Sequence, residues 1–292
     1  MRLHARYFLF LLGFNLLGFF VCAQAPFPAR GFAPILNEEQ AKKRLDQFRQ
    51  AFFGASQKAH HRAYIYRFQF THYRQTGMAE VCHGFLSGPS PYSSNLRVDL
   101  ITNPQDLDRL SSFLLVRNLI NSKAWKWEVG AEKARVLTPE NWGSPWTNGI
   151  NHSPFDLLMP FINWPVEYQK SGRVCGRPSH LFVFTPSNQG NTFMPSLKAV
   201  RLALDDSYDA PLRIEHMDGG ILPARTFSLQ SFKKINDQWL VKSIDVKDRD
   251  SKSRTRFELQ AVAHDLDLPI SAFQPSGLAL PIALSSIILD PI

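Results

Sequence analysis

From residue 180 to residue 263 the chain alternates apolar and polar positions with a period of two, segment after segment. In 198–204, Val200, Leu202 and Leu204 share one face, and Arg201 and Ala203 the other. In 212–218, Leu212 and Ile214 oppose Arg213 and Glu215. The same pattern predicts strands over 180–185, 225–233, 239–245 and 254–263. Turn formers separate them: the run from Asp205 to Pro211, then Asp218-Gly219-Gly220, Asn236-Asp237 and Asp248-Arg249-Asp250-Ser251. No helix-length pattern intervenes, so the connections are hairpins and the pairing is antiparallel. A sheet of this kind presents an apolar face that something must cover.

Alternation returns upstream over 63–73, 79–86, 96–101, 125–129 and 133–137. Tyr64, Tyr66, Phe68 and Phe70 lie on one face of the first of these segments. Residues 106–113 read as a helical turn and 113–118 as a strand. The whole amounts to about 10–11 strands.

Two helices are predicted as cover. The first begins at Asn37, an N-cap followed by Glu38 and Glu39, with Gln40 at the capping-box position. Ala41, Leu45, Phe48 and Phe52 form its apolar stripe, and Gly54 is its expected stop. The second begins at Ser153, with Pro154 at the first helical position and Asp156 at the third. Phe155, Leu157, Leu158, Met159, Phe161, Ile162 and Trp164 make it apolar nearly all round, and Pro160 and Pro165 bend or end it. A short helix that is apolar on every side must be buried or touch an apolar partner. Residues 153–165 are therefore the candidate lid. Phe155, Leu158, Met159, Phe161, Ile162 and Trp164, with Phe48 and Phe52 of the first helix, are the candidate ligand-binding residues. A solid core in which the same side chains are permanent packing is the alternative.

Length and composition fit one large mainly antiparallel α+β domain: 292 residues, 44% hydrophobic and 20% charged, with 23 Phe. Residues 1–25 read as a secretory signal. Arg2 and Arg6 precede an apolar run that is too short to span a membrane, and Ala23-Gln24-Ala25 supplies small residues for cleavage. Cleavage after Ala23 fits equally, and the exact position stays open. An extended lead over 26–36 follows, then the domain over 37–275. Loss of the signal removes Arg2 and Arg6 and no acid, taking the formal charge from +8 to +6. That mild excess fits scattered surface Lys and Arg. There is no dense basic block and no nucleic-acid motif. Cys82 and Cys175 remain, both in strand-like surroundings. They can pair in an oxidising compartment, but nothing in the sequence brings them together. Residues 276–292 form an apolar tail whose place (edge strand, cover for the lid, or loose) stays open.

Motifs for catalysis are lacking: no Gly-x-Ser-x-Gly, no Gly-rich phosphate loop and no His-Glu-x-x-His. His60, His61, His72, His83 and Cys82 fit no zinc spacing, so no metal and no cofactor are expected.

Several segments together resemble one family. Phe155-Asp156-Leu157-Leu158-Met159-Pro160-Phe161 followed by Trp164-Pro165 is similar to its lid segment. Val174-Cys175-Gly176-Arg177-Pro178-Ser179-His180 is similar to the start of its back sheet. Ala210-Pro211-Leu212-Arg213, Arg225-Thr226-Phe227, Phe232-Lys233-Lys234, Trp239, Arg254-Thr255-Arg256-Phe257 and Leu266-Asp267-Leu268-Pro269, with Phe273 and Pro275, follow in order. Across about residues 150–278 the chain resembles the bacterial outer-membrane lipoprotein-sorting proteins, relatives of the periplasmic carrier LolA. The resemblance implies a half-open antiparallel β-barrel, with the N-terminal helix and the short lid helix on its concave side. It further implies a monomeric, non-enzymatic periplasmic carrier for lipoprotein acyl chains or another lipid, with inner- or outer-membrane docking proteins as further partners. A non-transporting sensory module on the same fold is the second reading, and a hydrolase with an unrecognised site is the third.

Overall fold

The computed structural model describes residues 32–53, 62–90, 93–102, 108–118, 121–187, 194–235 and 238–292. The expected signal segment, Gly54, His60 and His61 lie outside the described residues. Helix α1 (Glu38–Phe53) begins as its sequence demands. Asn37 Oδ1 accepts from the Gln40 amide at 2.9 Å, and Gln40 Oε1 accepts from the Asn37 amide at 3.1 Å.

Among the described residues fourteen strands form one curled antiparallel sheet. They are β1 (Ala63–Tyr73), β2 (Glu80–Gly88), β3 (Asn95–Ile101), β4 (Arg109–Val116), β5 (Lys123–Glu128), β6 (Arg135–Leu137) and β7 (Val166–Val174). The series continues with β8 (Arg177–Phe184), β9 (Ala199–Asp205), β10 (Pro211–Met217), β11 (Arg225–Ile235), β12 (Gln238–Asp248), β13 (Ser253–Leu266) and β14 (Asp290–Pro291). Nearly every strand pairs with its neighbour in sequence. The exception that organises the fold is β1 against β13, which joins the first half of the sheet to the last. The order then runs β6-β5-β4-β3-β2-β1-β13-β12-β11-β10-β9-β8-β7, with β14 added beside β13.

That order has a direct consequence. β6 and β7 follow each other in the chain yet form the two opposite edges of the sheet. The connection between them, residues 138–165, must therefore cross the width of the sheet. It crosses on the concave face, where Trp142, Trp146, Ile150, Phe155, Leu158 and Phe161 join one continuous core with the inward residues of the strands. Helix α1 closes the same side through Ala41, Leu45 and Phe48.

The strand total exceeds the expected 10–11 for physical reasons. β7 alternates weakly, because it is a half-exposed edge strand whose residues read as polar. β14 is two residues long. Residues 109–116, expected in part as a helical turn, are strand β4, because residues 111–115 are buried on both faces and so show no alternation. The cysteines do not pair. Cys82 is buried, but Cys175 is exposed, against the strand-like setting expected for it. It occupies the β7–β8 turn, where Cys175 (φ 50°) and Gly176 (φ 77°) both lie in the left-handed region that a two-residue hairpin requires.

The apolar tail docks on the outer, convex face of the sheet. Ile282, Leu284, Ile287 and Leu289 cover Ile65, Phe85 and Ile101, and Leu278 packs with Leu114 and Trp127. Ala261 pairs with Pro291 as β14 joins β13. The N-terminal half of the sheet is thus covered on both faces.

Candidate functional site

The candidate site is the interface between the concave wall and the segment that crosses it. Helix α2 (Pro154–Leu158) starts at Ser153, whose amide donates to Asp156 Oδ2 at 2.7 Å, the capping box that the sequence encodes. The helix lasts five residues. Met159 ends it in the left-handed region (φ 44°, ψ 51°), and Pro160 then opens a 3-10 turn over Pro160–Asn163. The expected single helix over 153–165 is therefore two short pieces. Proline cannot donate the next helical hydrogen bond, so the chain turns before it. A non-glycine residue in that conformation costs roughly 1–2 kcal/mol, offset here by the burial of both flanks.

Phe155, Leu158, Met159, Phe161 and Ile162 are each no more than 1% exposed. Phe161 meets Phe184 edge-on at 5.5 Å, and Phe155 meets His216 at 5.6 Å. Trp164 is half-buried and stands 6.4 Å from Phe161. Phe48 is buried in the same core, whereas the side chain of Phe52 lies outside the described residues. The structure thus brings together seven of the eight predicted site residues on one apolar interface. Thr185, just after β8, donates to Pro165 O at 2.9 Å at the end of the segment. Phe155 donates to Trp142 O at 2.8 Å, and Arg49 of α1 reaches Ile162 O with Nε at 3.1 Å and Nη2 at 2.8 Å.

The space beneath 153–165, expected as a hollow, is largely taken by those side chains. A cavity of about 40 Å³ remains between Met159, Phe161, Ile214, Leu229 and Ile244. Sites for drug-sized ligands occupy about 300–1,000 Å³, so this cavity takes a few methylenes and a longer chain requires the crossing segment to move.

The sequence reading did not find the polar groups buried here. His152 is fully buried between Phe70 (4.7 Å) and Phe227 (5.9 Å), with neither ring nitrogen hydrogen-bonded. His216, also buried, leaves Nδ1 unpartnered. Loss of water, reinforced by the Arg225 guanidinium, pushes both imidazoles down to about 3. Burial pushes the Asp156 carboxyl up to about 6, against the opposing pull of Arg225 and the Ser153 hydrogen bonds. His216 was readable, because it continues the inward series Leu212, Ile214. His152 lies in a loop that carries no periodic signal. Among the described residues no group of three His, Cys, Asp or Glu converges as a metal site, and no helix is long and apolar enough to cross a membrane. What the arrangement presents is a continuous apolar interface between the wall and the crossing segment.

Solved structures with this curled sheet decide the fold. A putative outer membrane lipoprotein-sorting protein domain from Vibrio parahaemolyticus superposes with a TM-score of 0.63 at 14% identity, covering 80% of this chain and 97% of that one. The chain has the LolA-like fold. A LolA superfamily protein from Nitrosomonas europaea gives a TM-score of 0.57 at 13% identity, covering 80% and 97%. A DUF1329 family protein from Desulfovibrio piger gives 0.61 at 15% identity, covering 81% and 95%. No family model matches the sequence, and no curated protein does. At these identities the shared property is the LolA-like architecture itself.

Proposed function

We propose that this protein is a periplasmic carrier or chaperone that binds the acyl chains of lipoproteins, or of another lipid, between its concave wall and residues 153–165. The signal-like residues 1–25 support export, and docking proteins at the inner or outer membrane would load and unload it. One observation carries the reading. The wall is covered by a short segment, apolar nearly all round, that belongs to no strand and has no regular hydrogen-bond ladder to the wall beneath it. A carrier's ligand and its plug compete for one surface. Burying a 16-carbon chain is worth at most about 12 kcal/mol at about 0.8 kcal/mol per methylene. Plug side chains that recover much of that area on release keep the net affinity low enough to unload.

Two experiments test the proposal. Protein purified from its host is extracted with organic solvent and the extract analysed by mass spectrometry, where co-purifying acyl species are expected. Separately, Phe161→Ala weakens the seating of the plug, so an acyl-chain fluorophore should bind about tenfold or more tightly, given that Phe→Ala core truncations cost about 3–5 kcal/mol. An extract free of lipid, together with a Phe161→Ala protein that is merely less stable and binds no better, identifies the segment as fixed core and ends the reading.

A further inference from the structure

The sheet wall is not closed beside the cavity. β10 pairs with β11 only from Arg213 opposite Ser228 to His216 opposite Arg225. β11 continues to Ile235 along β12, so its residues from Leu229 onward have no β10 partner. On the other side β10 follows β9 through an irregularity between Pro211 and Arg213. The ladder therefore opens as a short wedge where Pro211 and Leu212 stand beside Leu229, and β11 then runs on past the start of β10, with Phe232 and Ile235 half-buried against the core. The cavity next to Met159 and Phe161 reaches this wedge, because Pro211, Leu212 and Arg213 bound it together with Leu229.

Arg213 stands where the cavity meets solvent. Its side chain is 39% exposed, and its Nε is buried without a hydrogen-bond partner. The nearest acid, Glu215, already accepts from Arg201 at 2.7 Å and lies 3.8 Å from Arg213. A guanidinium with unused donors at an apolar opening fits a carboxylate, whose two oxygens match its fork. The far side of the cavity carries Asp156, buried and with Oδ1 unpartnered. Its charge has the sign of a fatty-acid head and opposes entry head first.

We propose that the wedge between β10 and β11 is a side entrance that admits a fatty acid tail first and holds its carboxylate on Arg213. This rests on the acyl-binding reading above and adds the ligand's head group and its route. The first methylenes fill the existing cavity, and the remainder of the chain displaces Met159 and Phe161.

The experiment is displacement of an acyl-chain fluorophore by decanoate and by decanol, read at pH 7.5. In the wild type, decanoate should displace at about tenfold lower concentration, the worth of one charge-assisted hydrogen-bonded pair. Arg213→Gln keeps the stem and should erase the difference. Lys247→Gln, which loses the same unit of charge away from the wedge, should preserve it. Equal displacement by acid and alcohol in the wild type overturns the side-entrance proposal while leaving acyl binding intact, and so does a preference that survives Arg213→Gln. Failure of the fluorophore to bind in any variant removes both proposals.

Discussion

Arg97 grips Asp99 from two positions back on the same face of β3, Nε to Oδ2 at 2.9 Å and Nη2 to Oδ1 at 3.0 Å, and neither group meets bulk water. The same guanidinium donates to Ala272 O at 3.0 Å and Leu280 O at 2.7 Å. One buried cation thus fastens the C-terminal segment across the convex face, with Arg109 donating to Leu278 O at 2.9 Å beside it. Arg97→Met should cost about 3–5 kcal/mol, because Asp99 is left buried without its main partner. Amide exchange over 270–292 should quicken far more than in β8–β10. A uniform effect across the molecule would show that the segment is not separately fastened.

Stability should fall with acid between about pH 6.5 and pH 3, the interval between the ordinary histidine value and the depressed one of His152 and His216. Both imidazoles fold neutral, so the unfolded chain takes up more protons as pH drops, and each group weakens the fold by up to about 1.4 kcal/mol per pH unit. Asp156 acts in the opposite sense. Its carboxyl is raised from 3.8 to about 6, so its contribution is fullest below 3.8 and is lost as pH rises to 6. Asp209, raised likewise to about 6 by burial, acts with Asp156, but burial also lowers His72, His83, His180 and His264, so the histidines outnumber the carboxyls and leave a net loss in acid. His152→Phe sacrifices no hydrogen bond, since neither ring nitrogen makes one. It should stabilise by about 1 kcal/mol at pH 7 and flatten the acid slope in urea titrations read at pH 7 and pH 5.

Gly84 and Gly172 should respond in opposite directions to alanine. A Cβ at Gly84 would lie 2.5 Å from the Phe68 ring and 2.7 Å from Asp99 O, and the latter is backbone that cannot step aside. Gly84→Ala should therefore cost about 1–3 kcal/mol through overpacking. A Cβ at Gly172, on edge strand β7, meets only a Leu181 methyl at 3.6 Å. Gly172→Ala should stabilise by about 0.5–1 kcal/mol by removing backbone freedom. Chemical denaturation midpoints decide both.

The strands with one buried face were legible because alternation records burial on one side only. Tyr64, Tyr66, Phe68 and Phe70 turn inward as their spacing says. β4 was obscured because it is buried on both sides, and the cause is the tail, whose Leu278, 164 residues later in the chain, covers Leu114. Periodicity cannot report a cover that distant. The lid's residue types and its capping box were equally local, so Ser153 and Asp156 were found. That the same segment must span the sheet follows only from β1 pairing with β13, a contact no single segment encodes. His152 and Arg225 became neighbours by that crossing, so no motif announced them.

Arg49 is the tether through which helix α1 holds the crossing segment. Its guanidinium gives Ile162 O two hydrogen bonds, at 3.1 and 2.8 Å, while Asp46 lies at a looser 3.4 Å. Ile162 O sits in the 3-10 turn that follows the left-handed Met159, where the backbone has no regular ladder to rely on. Arg49→Gln shortens the reach and removes the charge, but it leaves the apolar packing of Phe155 and Phe161 untouched. With the donor partly exposed, the loss should be about 1 kcal/mol, less than a buried charged hydrogen bond is worth. If the segment is a displaceable plug, that loss falls on the closed state alone. Amides of 160–164 should then exchange faster, and an acyl-chain fluorophore should bind roughly fivefold tighter. If the segment is fixed core, the same substitution should lower the unfolding midpoint and leave fluorophore binding unchanged. Comparing the two readouts on one variant therefore separates a plug from a permanent cover without disturbing the wall that both readings share.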